Sequence, residues 1–324
     1  MNNAVFMEPF SQNGQTMHII QPAQERHRSL PELLQYLQEA RQQLEELLLQ
    51  DGAILFRGFD IPDKEDFLQV KTFFAGTGAF DYVDGNSPRT KLGAGVYTST
   101  EYPKEFPISL HNEMSYSGKW PAKIFFYCKT PAEAGGETPI VDCRLILQKL
   151  NEALVTDFEA HGVKYTRCLS GPKRVGKSWM DTFETSNKDL VEQHCRENNM
   201  EFFWDNGSLC LTQLGPGIAQ HPVTGEKVWF NQANQFHPSS LPEDIYKMLS
   251  MLHAGKKHRF PQYAFYGNHE EIPVPYLQEI TDTHFKYAIK FPWQQGDLLM
   301  LDNMLMAHGR MPFTGDRNIY VSMC

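Results

Sequence analysis

The chain has 324 residues, of which 41% are hydrophobic and 21% are charged, so it can build a sizeable core, and global disorder is excluded. Its formal net charge of −9 argues against a nucleic-acid-binding protein, because such proteins carry a basic surface that attracts phosphates. No apolar window of about 18 residues is present, so we predict no membrane span, and the amino terminus lacks the pattern of a signal peptide.

The six cysteines are scattered and form no CxxC pair. In a chain without an export signal this pattern predicts reduced thiols and a cytoplasmic location. No Pro-, Gly- or Ser-rich linker divides the chain, so we predict a single domain over residues 1–324. Residues 1–28 are polar and mixed, and we expect them to form a partly ordered lead-in.

The first predicted helix begins at Ser29, where Ser is a favoured cap and Pro31 fits the first turn. Apolar residues recur at helical spacing from Leu33 to Leu48, and Gly52 is expected to end the helix. A short strand is predicted directly after it, at 53–56. Residues 78–106 are rich in Gly, Ser, Thr, Pro and Tyr and predict a long loop, a type of segment that often carries function.

Short strand candidates dominate the rest of the chain, and regular alternation of strands and helices is absent. The strand candidates are 107–113, 122–128, 137–142, 162–167, 208–213, 226–231, 285–291, 297–302 and 317–323. Helices are predicted near 144–160, 187–198 and 242–254. This pattern favours an α+β fold with a mainly β core, arranged as a sandwich or barrel with helical insertions.

The strongest chemical signal is His111-Asn112-Glu113, because residues two apart on a strand present their side chains on the same face. His308 follows nearly 200 residues later, just past the apolar run 298–301. Two histidines and one carboxylate form the facial triad that holds Fe(II) in non-haem oxygenases and leaves one face of the metal open. A second His-x-Glu, at 269–271, lies in a turn-like context, and we interpret it as structural.

Further polar residues suit a dicarboxylate that chelates the metal at one end. Arg310 and Arg317 lie in the segment that starts at His308, and a guanidinium donates two parallel hydrogen bonds to a carboxylate. Thr138, in a Gly-Gly-Glu-Thr segment, adds a hydroxyl group. At this point the residues leave open which arginine would serve.

Taken together, the motifs resemble the Fe(II)/2-oxoglutarate-dependent dioxygenases of the taurine dioxygenase and clavaminate synthase-like group. The matching stretches follow the family order and span about residues 50–320. They are DGAILFRGF at 51–59, LHNEMSY at 110–116, Pro121 with IFFYC at 124–128, GGETPIVD at 135–142, GDLLMLDN at 296–303 and HGRMPFTGDR at 308–317.

The resemblance implies a double-stranded β-helix (jelly-roll) core with helical insertions. It implies that His111, Glu113 and His308 bind Fe(II), with 2-oxoglutarate and O2 as co-substrates. Arg317 would pair with the distal carboxylate of 2-oxoglutarate and Thr138 would assist, while Arg310 is a second candidate for that clamp. The intact carboxylate ligand argues against a halogenase, in which chloride takes its place.

The resemblance also implies hydroxylation of an unactivated C–H bond, with release of succinate and CO2. Relatives of this kind often act on amino acids, so we expect an amino-acid-like small molecule, either free or tethered to a peptide-synthetase carrier protein. Desaturation or epoxidation would use the same ligands. Candidate substrate contacts are Tyr97, Ser99, Tyr116, Trp229 and Asn231.

Three alternatives remain open from the sequence. Residues 171–178 match the GxxxxGK[ST] pattern of a phosphate-binding loop after a strand-like segment, although the residues that follow make a poor opening helix. A non-catalytic jelly-roll binding protein is a second reading, and the intact site residues weigh against it. A zinc hydrolase with the same ligands is a third, but its HExxH motif is absent.

Overall fold

The computed structural model describes residues 4–75, 80, 83–86, 89–93, 95–100, 102–171 and 177–324. Its strands are β1 Val5–Gln12, β2 Gln15–Pro22, β3 Ala53–Phe56, β4 Lys91–Gly93, β5 Val96–Thr98, β6 Ile108–His111, β7 Lys123–Thr130, β8 Ala134–Gly135, β9 Ile140–Asp142, β10 Val163–Leu169, β11 Glu201–Asp205, β12 Ser208–Gly215, β13 Ile218–Gln220, β14 Lys227–Trp229, β15 Gln262–Tyr266, β16 Leu298–Asp302, β17 Met306–Arg310, β18 Phe313–Thr314 and β19 Asn318–Met323.

The α-helices are α1 Leu30–Glu39, α2 Arg41–Asp51, α3 Lys64–Ala75, α4 Cys143–Lys149, α5 Glu152–His161, α6 Trp179–Phe183, α7 Lys188–Glu197, α8 Ala233–Phe236, α9 Glu243–Leu252 and α10 Val274–Tyr287. Short 3-10 turns span Glu25–His27, Pro238–Ser240 and Lys257–Arg259. None of the helices in the described part of the chain combines the length and the apolarity needed to cross a membrane.

An eight-stranded sheet, here called the major sheet, runs in the order β1-β2-β3-β16-β7-β19-β5-β4. β16 pairs antiparallel with both β3 and β7, and all five of its residues are buried. A strand that is covered on both faces needs apolar side chains on both, and the run LLML at 298–301 meets this need in the middle of the sheet.

A three-stranded sheet, the minor sheet, has the order β6-β17-β9 and packs on the major sheet. One hydrophobic cluster joins the two sheets, since it includes Phe126 and Leu299 from the major sheet and Val141 and Ala307 from the minor one. The two layers therefore enclose a common core, and His308 in β17 packs with its ring centroid 5.1 Å from that of Phe126.

A separate four-stranded antiparallel sheet has the order β11-β12-β10-β15. In its register Cys168 of β10 lies directly opposite Cys210 of β12, and the two form a disulfide. The prediction that all six thiols are reduced is therefore wrong. The scattered spacing concealed this pair, because strand pairing joins residues that are 42 positions apart. The cytoplasmic location stays a prediction.

The predicted lead-in at 1–28 is also wrong for the residues that the structure describes. Residues 5–22 form the β1–β2 hairpin, and β2 adds to the major sheet in parallel with β3. In β2, Met17, Ile19 and Ile20 are buried, so the alternation of apolar and polar residues was a strand signal. The assignment of the whole chain to one domain stays a prediction.

Several predicted elements shift. The first helix is two helices that meet at Ala40, and Gly52 ends the second with a φ of 74°. The described part of the predicted loop at 78–106 contains β4 and β5. The predicted strand at 285–291 is wrong, because α10 continues to Tyr287 and only Ile289 makes an isolated bridge, to Ile140. Apolar residues of α10 recur at helical spacing and are buried, which decides in favour of the helix.

Candidate metal centre

Strand pairing in the minor sheet brings the three proposed metal ligands together. His111 is the last residue of β6, His308 is the central residue of β17, and these two residues are direct partners in the antiparallel register. Glu113 follows two residues after His111. One potential ligand atom from each of the three side chains lies within 4.8 Å of the other two, and all three residues are buried.

Glu113 does not lie on the strand, as the sequence pattern predicted, but in the turn that follows it. The Asn303 side chain fixes this turn: its Oδ1 accepts the Glu113 backbone N–H at 2.7 Å and its Nδ2 donates to the Glu113 carbonyl at 3.0 Å. The next residue, Met114, has a φ of 57°, a left-handed conformation that is uncommon for a non-glycine residue. The Asn303 side chain, 190 residues away in sequence, therefore makes the backbone hydrogen bonds that a neighbouring strand would otherwise make with Glu113.

His111 is oriented through its second ring nitrogen. Its Nδ1 lies 2.9 Å from the Ser109 carbonyl, and a carbonyl can only accept, so Nδ1 carries the hydrogen and Nε2 keeps its lone pair. Metal-binding histidines are commonly held in this way by a backbone carbonyl. Burial lowers the pKa of His111 to about 4, and the neighbouring His308 lowers it as well, so the ring is neutral near pH 7.

The charge on Glu113 is stabilised by Arg89, whose Nη2 lies 2.5 Å from Glu113 Oε2. Burial alone would raise the pKa of this carboxyl group, but the Arg89 guanidinium and the two histidines hold it well below its usual range. The same oxygen lies 3.7 Å from His308 Nε2. Sequence reasoning missed both Arg89 and Asn303; Asn303 stands in the GDLLMLDN motif, whereas Arg89 has only the signal of a charged residue in a mostly uncharged loop.

His308 is held mainly by packing. Its ring centroid lies 4.6 Å from that of His111 and 5.1 Å from that of Phe126. Its Nδ1 is buried and has no hydrogen-bond partner among the residues that the structure describes. Two imidazole nitrogens and one ionised carboxylate, converging from one side, are the donor set that suits a divalent iron with open coordination positions.

A second polar group lies beside the minor sheet. Arg317, just before β19, donates from Nε to the Gly136 carbonyl at 2.8 Å and from Nη2 to the Thr138 hydroxyl at 3.3 Å. Its Nη1 lies 3.4 Å from Ser99 Oγ. Thr138 precedes Ile140 by two residues, and Ile140 is the register partner of His308. Burial lowers the pKa of Arg317 to about 10, with Arg310 contributing, so an anionic partner would stabilise this guanidinium.

Arg310 does not share this arrangement. Its guanidinium donates to the backbone carbonyls of Tyr102, Pro103 and Phe106 at 2.7–2.9 Å. These contacts make Arg310 the anchor of the 102–106 segment, which is a structural task. The geometry therefore favours Arg317 over Arg310 for the carboxylate clamp.

The other predicted substrate contacts are occupied by structural roles. Tyr97 is buried in β5 and belongs to the main hydrophobic cluster. The Tyr116 hydroxyl donates to the Asp84 carbonyl and accepts the Asn86 backbone N–H. Trp229 is fully buried against Phe158. Asn231 bonds the Gly217 carbonyl and the Ala233 backbone N–H. Of the predicted set, Ser99 alone is brought to Arg317 among the described contacts.

The phosphate-loop alternative finds no support in the described residues. Of the motif at 171–178, residues 172–176 lie outside the described part of the chain. The preceding strand β10 pairs antiparallel with both of its neighbours, whereas the phosphate loop requires a parallel strand followed by a helix. Lys177 Nζ donates to the Gly85 carbonyl, and Ser178 caps the five-residue helix α6.

Comparison with known proteins identifies relatives over almost the whole chain. The profile of the family described as "Taurine catabolism dioxygenase TauD, TfdA family" matches residues 15–323. The dapdiamide synthesis protein DdaC of Enterobacter agglomerans is 36% identical over 281 residues, which cover 86% of this chain and 84% of DdaC. A clavaminate synthase-like protein of Arabidopsis thaliana is 32% identical over 308 residues, covering 91% and 88% of the two chains.

Solved structures resemble this one at low sequence identity. PvcB from Pseudomonas aeruginosa superposes with a TM-score of 0.56 at 14% identity, covering 100% of this chain and 92% of PvcB. A taurine dioxygenase from Burkholderia xenovorans gives a TM-score of 0.55 at 16% identity, covering 99% and 89%. These likenesses concern the fold, and they confirm the predicted jelly-roll class with helical insertions.

Proposed function

The chain belongs to the TauD, TfdA family of dioxygenases, and from this premise we propose that it hydroxylates an unactivated C–H bond of an amino acid or an amino-acid-derived molecule. The protein is a dioxygenase that uses Fe(II), with 2-oxoglutarate and O2 as co-substrates. In the proposed reaction one oxygen atom of O2 enters the substrate as a hydroxyl group. The other enters succinate as 2-oxoglutarate loses CO2.

His111, Glu113 and His308 are proposed as the iron ligands. The observation that supports this assignment is the convergence of their ligand atoms within 4.8 Å, with His111 fixed as the Nδ1–H tautomer by Ser109. When bound, the metal and 2-oxoglutarate supply the oxidising chemistry, and the protein supplies geometry and a dry environment. Glu113 contributes the negative charge that Arg89 keeps ionised in the buried site.

Arg317 is proposed to pair with the distal carboxylate of 2-oxoglutarate, with Thr138 and Ser99 completing the contact. The Arg317 guanidinium already lies 3.3 Å from the Thr138 hydroxyl and 3.4 Å from the Ser99 hydroxyl. The Trp293 indole N–H donates to the Thr138 hydroxyl at 3.2 Å, which orients that hydroxyl group. A guanidinium with fixed neighbours is well suited to a carboxylate, because both partners are planar and form paired hydrogen bonds.

An amino-acid-derived substrate is supported by the names of two similar proteins. DdaC is named for dapdiamide synthesis, and PvcB is described as an oxygenase from an isonitrile synthetic pathway. Both descriptions name the synthesis of a small molecule. We propose a comparable role for this chain, on a substrate that is either free or tethered to a peptide-synthetase carrier protein.

Succinate release tests the proposal. Protein loaded with Fe(II) and 2-oxoglutarate is incubated in air with a library of amino acids, their N-acyl derivatives and carrier-bound aminoacyl thioesters. We expect at least one of these to raise succinate formation well above the rate without substrate and to gain one oxygen atom. Stimulation by none of the three forms would refute the proposed substrate class.

A further inference from the structure

A cavity of about 270 Å³, with polar and apolar groups in its lining, lies next to the proposed site, and we call it the inner cavity. One wall contains Ser109 and Gln235, and both contact the Nδ1 side of His111. The lining also contains Thr100, which follows Ser99, a contact of the Arg317 guanidinium. The cavity is thus placed beside the proposed metal ligands, although no sequence motif pointed to its lining residues.

Three residues with carboxamide side chains line this cavity in a row, linked by one hydrogen bond between side chains and one to a backbone carbonyl. Asn86 Nδ2 donates to Gln262 Oε1 at 2.9 Å, and Gln262 Nε2 donates to the Gln235 carbonyl at 3.0 Å. The Gln235 side chain lies next to His111, with Nε2 3.3 Å from Nδ1, but the two are not hydrogen-bonded because Nδ1 donates to Ser109. Carboxamides both donate and accept hydrogen bonds, so this wall matches the N–H and C=O groups of an amide in a substrate.

Charged side chains are absent from the described lining of the inner cavity. A free amino acid carries an ammonium and a carboxylate, and burying either charge without a partner is unfavourable. An amino-acid unit whose nitrogen is acylated has a neutral amide in place of the ammonium. The lining therefore favours an amide-linked amino acid over the free zwitterion.

A second cavity, of about 700 Å³, opens outward from the first, and we call it the outer groove. The two cavities share five lining residues, among them Tyr102, Ser109 and Leu241. Farther out, the groove is lined by apolar side chains that include Phe106, Ile245 and Phe285. The inner cavity has less than half the volume of the outer groove, so a longer molecule must extend into the groove.

Hydrogen bonds hold the groove open from both sides. The 102–106 segment on one side is anchored by the three donations of Arg310 to backbone carbonyls. On the other side Asn234 Nδ2 donates to Thr281 Oγ1 at 3.0 Å, which links α8 to α10. The groove is therefore a formed feature of the fold, and Phe106, 52% exposed, is held at its rim rather than packed into the core.

We propose that the inner cavity and the outer groove form one binding site for an amide-linked amino-acid derivative with an apolar acyl chain. The amide lies along the Asn86–Gln262–Gln235 row, and the acyl chain lies in the outer groove. This inference rests on the proposed function and names its substrate class. It also gives Arg310 a positioning role, because its hydrogen bonds set one wall of the groove.

Two side-chain-free probes test the proposal: N-acetylglycine methylamide and N-octanoylglycine methylamide, which share the amide head and differ only in chain length. Protein is loaded with Mn(II) and N-oxalylglycine, so that no turnover occurs, and the dissociation constant of each probe is measured by calorimetry. We expect the octanoyl probe to bind at least tenfold more tightly than the acetyl probe, and free glycine to show no binding.

Variants assign the two parts of the site. Ile245→Asp should reduce the advantage of the octanoyl probe to less than threefold without changing the affinity of the acetyl probe. Gln262→Leu should weaken both probes by a similar factor. The matched control is Met251→Asp, on the same helix α9 but 77% exposed and outside the lining of either cavity, which should leave both constants unchanged.

Equal affinity of the two probes, equal effects of Ile245→Asp and Met251→Asp, or no binding of the octanoyl probe to protein that has taken up Mn(II) and N-oxalylglycine would each overturn the proposal. Failure of the proposed function looks different. In that case the octanoyl probe binds, but no amino-acid derivative stimulates succinate release by the Fe(II)-loaded enzyme.

Discussion

The proposed metal centre at the minor sheet and the four-stranded sheet both depend on residues that are distant in sequence, but different kinds of bond join them. Glu113 and Asn303 are 190 residues apart and meet through buried hydrogen bonds between a side chain and the backbone. Cys168 and Cys210 are 42 residues apart and meet through a covalent bond. The first region holds polar groups in place for chemistry, and the second supports a separate hydrophobic cluster around Trp179 and Leu211. A mutation should therefore affect activity in one region and stability in the other.

The largest effect is expected in the minor sheet. Glu113→Ala removes one of three proposed ligands, and we expect metal-dependent succinate formation to fall to the level of the metal-free protein. Binding of Mn(II), measured by electron paramagnetic resonance, should weaken in parallel. Glu197→Ala, at an exposed carboxylate on α7, is the control and should be fully active; a fully active Glu113→Ala variant would refute the assignment.

The second largest effect tests the other region. Replacing both Cys168 and Cys210 by Ser frees a loop of 42 residues in the unfolded chain, so we expect a loss of about 4 kcal/mol in the free energy of unfolding. Urea titration measures this loss. The affinity for Mn(II) should stay unchanged, because the proposed ligands lie in a different sheet. Cys324→Ser, at a free and partly buried thiol, is the control for the loss of a sulfhydryl group.

Asn303→Ala should sharpen the comparison, because this side chain supports the site without touching a proposed ligand atom. It leaves the Glu113 backbone N–H and carbonyl without their partner, which typically costs about 1–3 kcal/mol per buried group. We expect metal affinity to fall by about 10- to 100-fold, as for other residues that orient metal ligands. Loss of stability with unchanged Mn(II) affinity would contradict this positioning role.

Arg317→Ala should chiefly raise the concentration of 2-oxoglutarate that the enzyme requires. Hydrogen bonds to charged groups contribute about 1.5–3 kcal/mol, which corresponds to a rise of roughly 10- to 100-fold in KM. Steady-state kinetics at saturating Fe(II) measure it. Arg310→Ala is the matched arginine, and it should leave the KM for 2-oxoglutarate within about threefold of the wild type, since Arg310 bonds only backbone carbonyls in the described contacts.

The smallest effect concerns Lys177, whose Nζ donates to the Gly85 carbonyl. Burial, with help from Arg167, lowers its pKa from 10.5 to about 8. Between these two pH values the unfolded chain holds the proton more tightly than the folded protein, so this residue adds stability as the pH rises from about 8 to 10.5. Thermal unfolding across this range should show a positive slope relative to Lys177→Met, and an identical pH profile for the two proteins would contradict the assignment.

The sequence predicts the fold class, and it selects three side chains that the structure brings together, because two histidines and a carboxylate in this pattern have few other uses. The pattern of His111, Glu113 and His308 indicates a set, and the apolar run at 298–301 predicts a strand. The turn that carries Glu113 is not readable, because it depends on Asn303, whose partners are backbone groups from a distant segment. The same limit applies to the disulfide, which depends on the register of two strands.

Residues with several possible tasks were the least predictable. Arg310 and Arg317 stand seven positions apart in one motif, and only the fold shows that the first bonds the 102–106 segment while the second reaches Thr138. Tyr116, Trp229 and Asn231 are aromatic or amide residues that suit a substrate, yet core packing and backbone hydrogen bonds occupy them. The carboxamides at 86, 235 and 262 came from three separate stretches of the chain, so no local pattern could connect them.

The tip of the β1–β2 hairpin helps to position the strands around the proposed metal centre. Asn13 and Gln15 donate to the carbonyls of Ala288 and Tyr287, and the Gln15 side chain also accepts the Asp142 backbone N–H. These contacts link the end of α10 to β9, the strand that pairs with His308. Residues without any chemical task thus act as a brace, and the alignment of the proposed iron ligands depends in part on the β1–β2 hairpin.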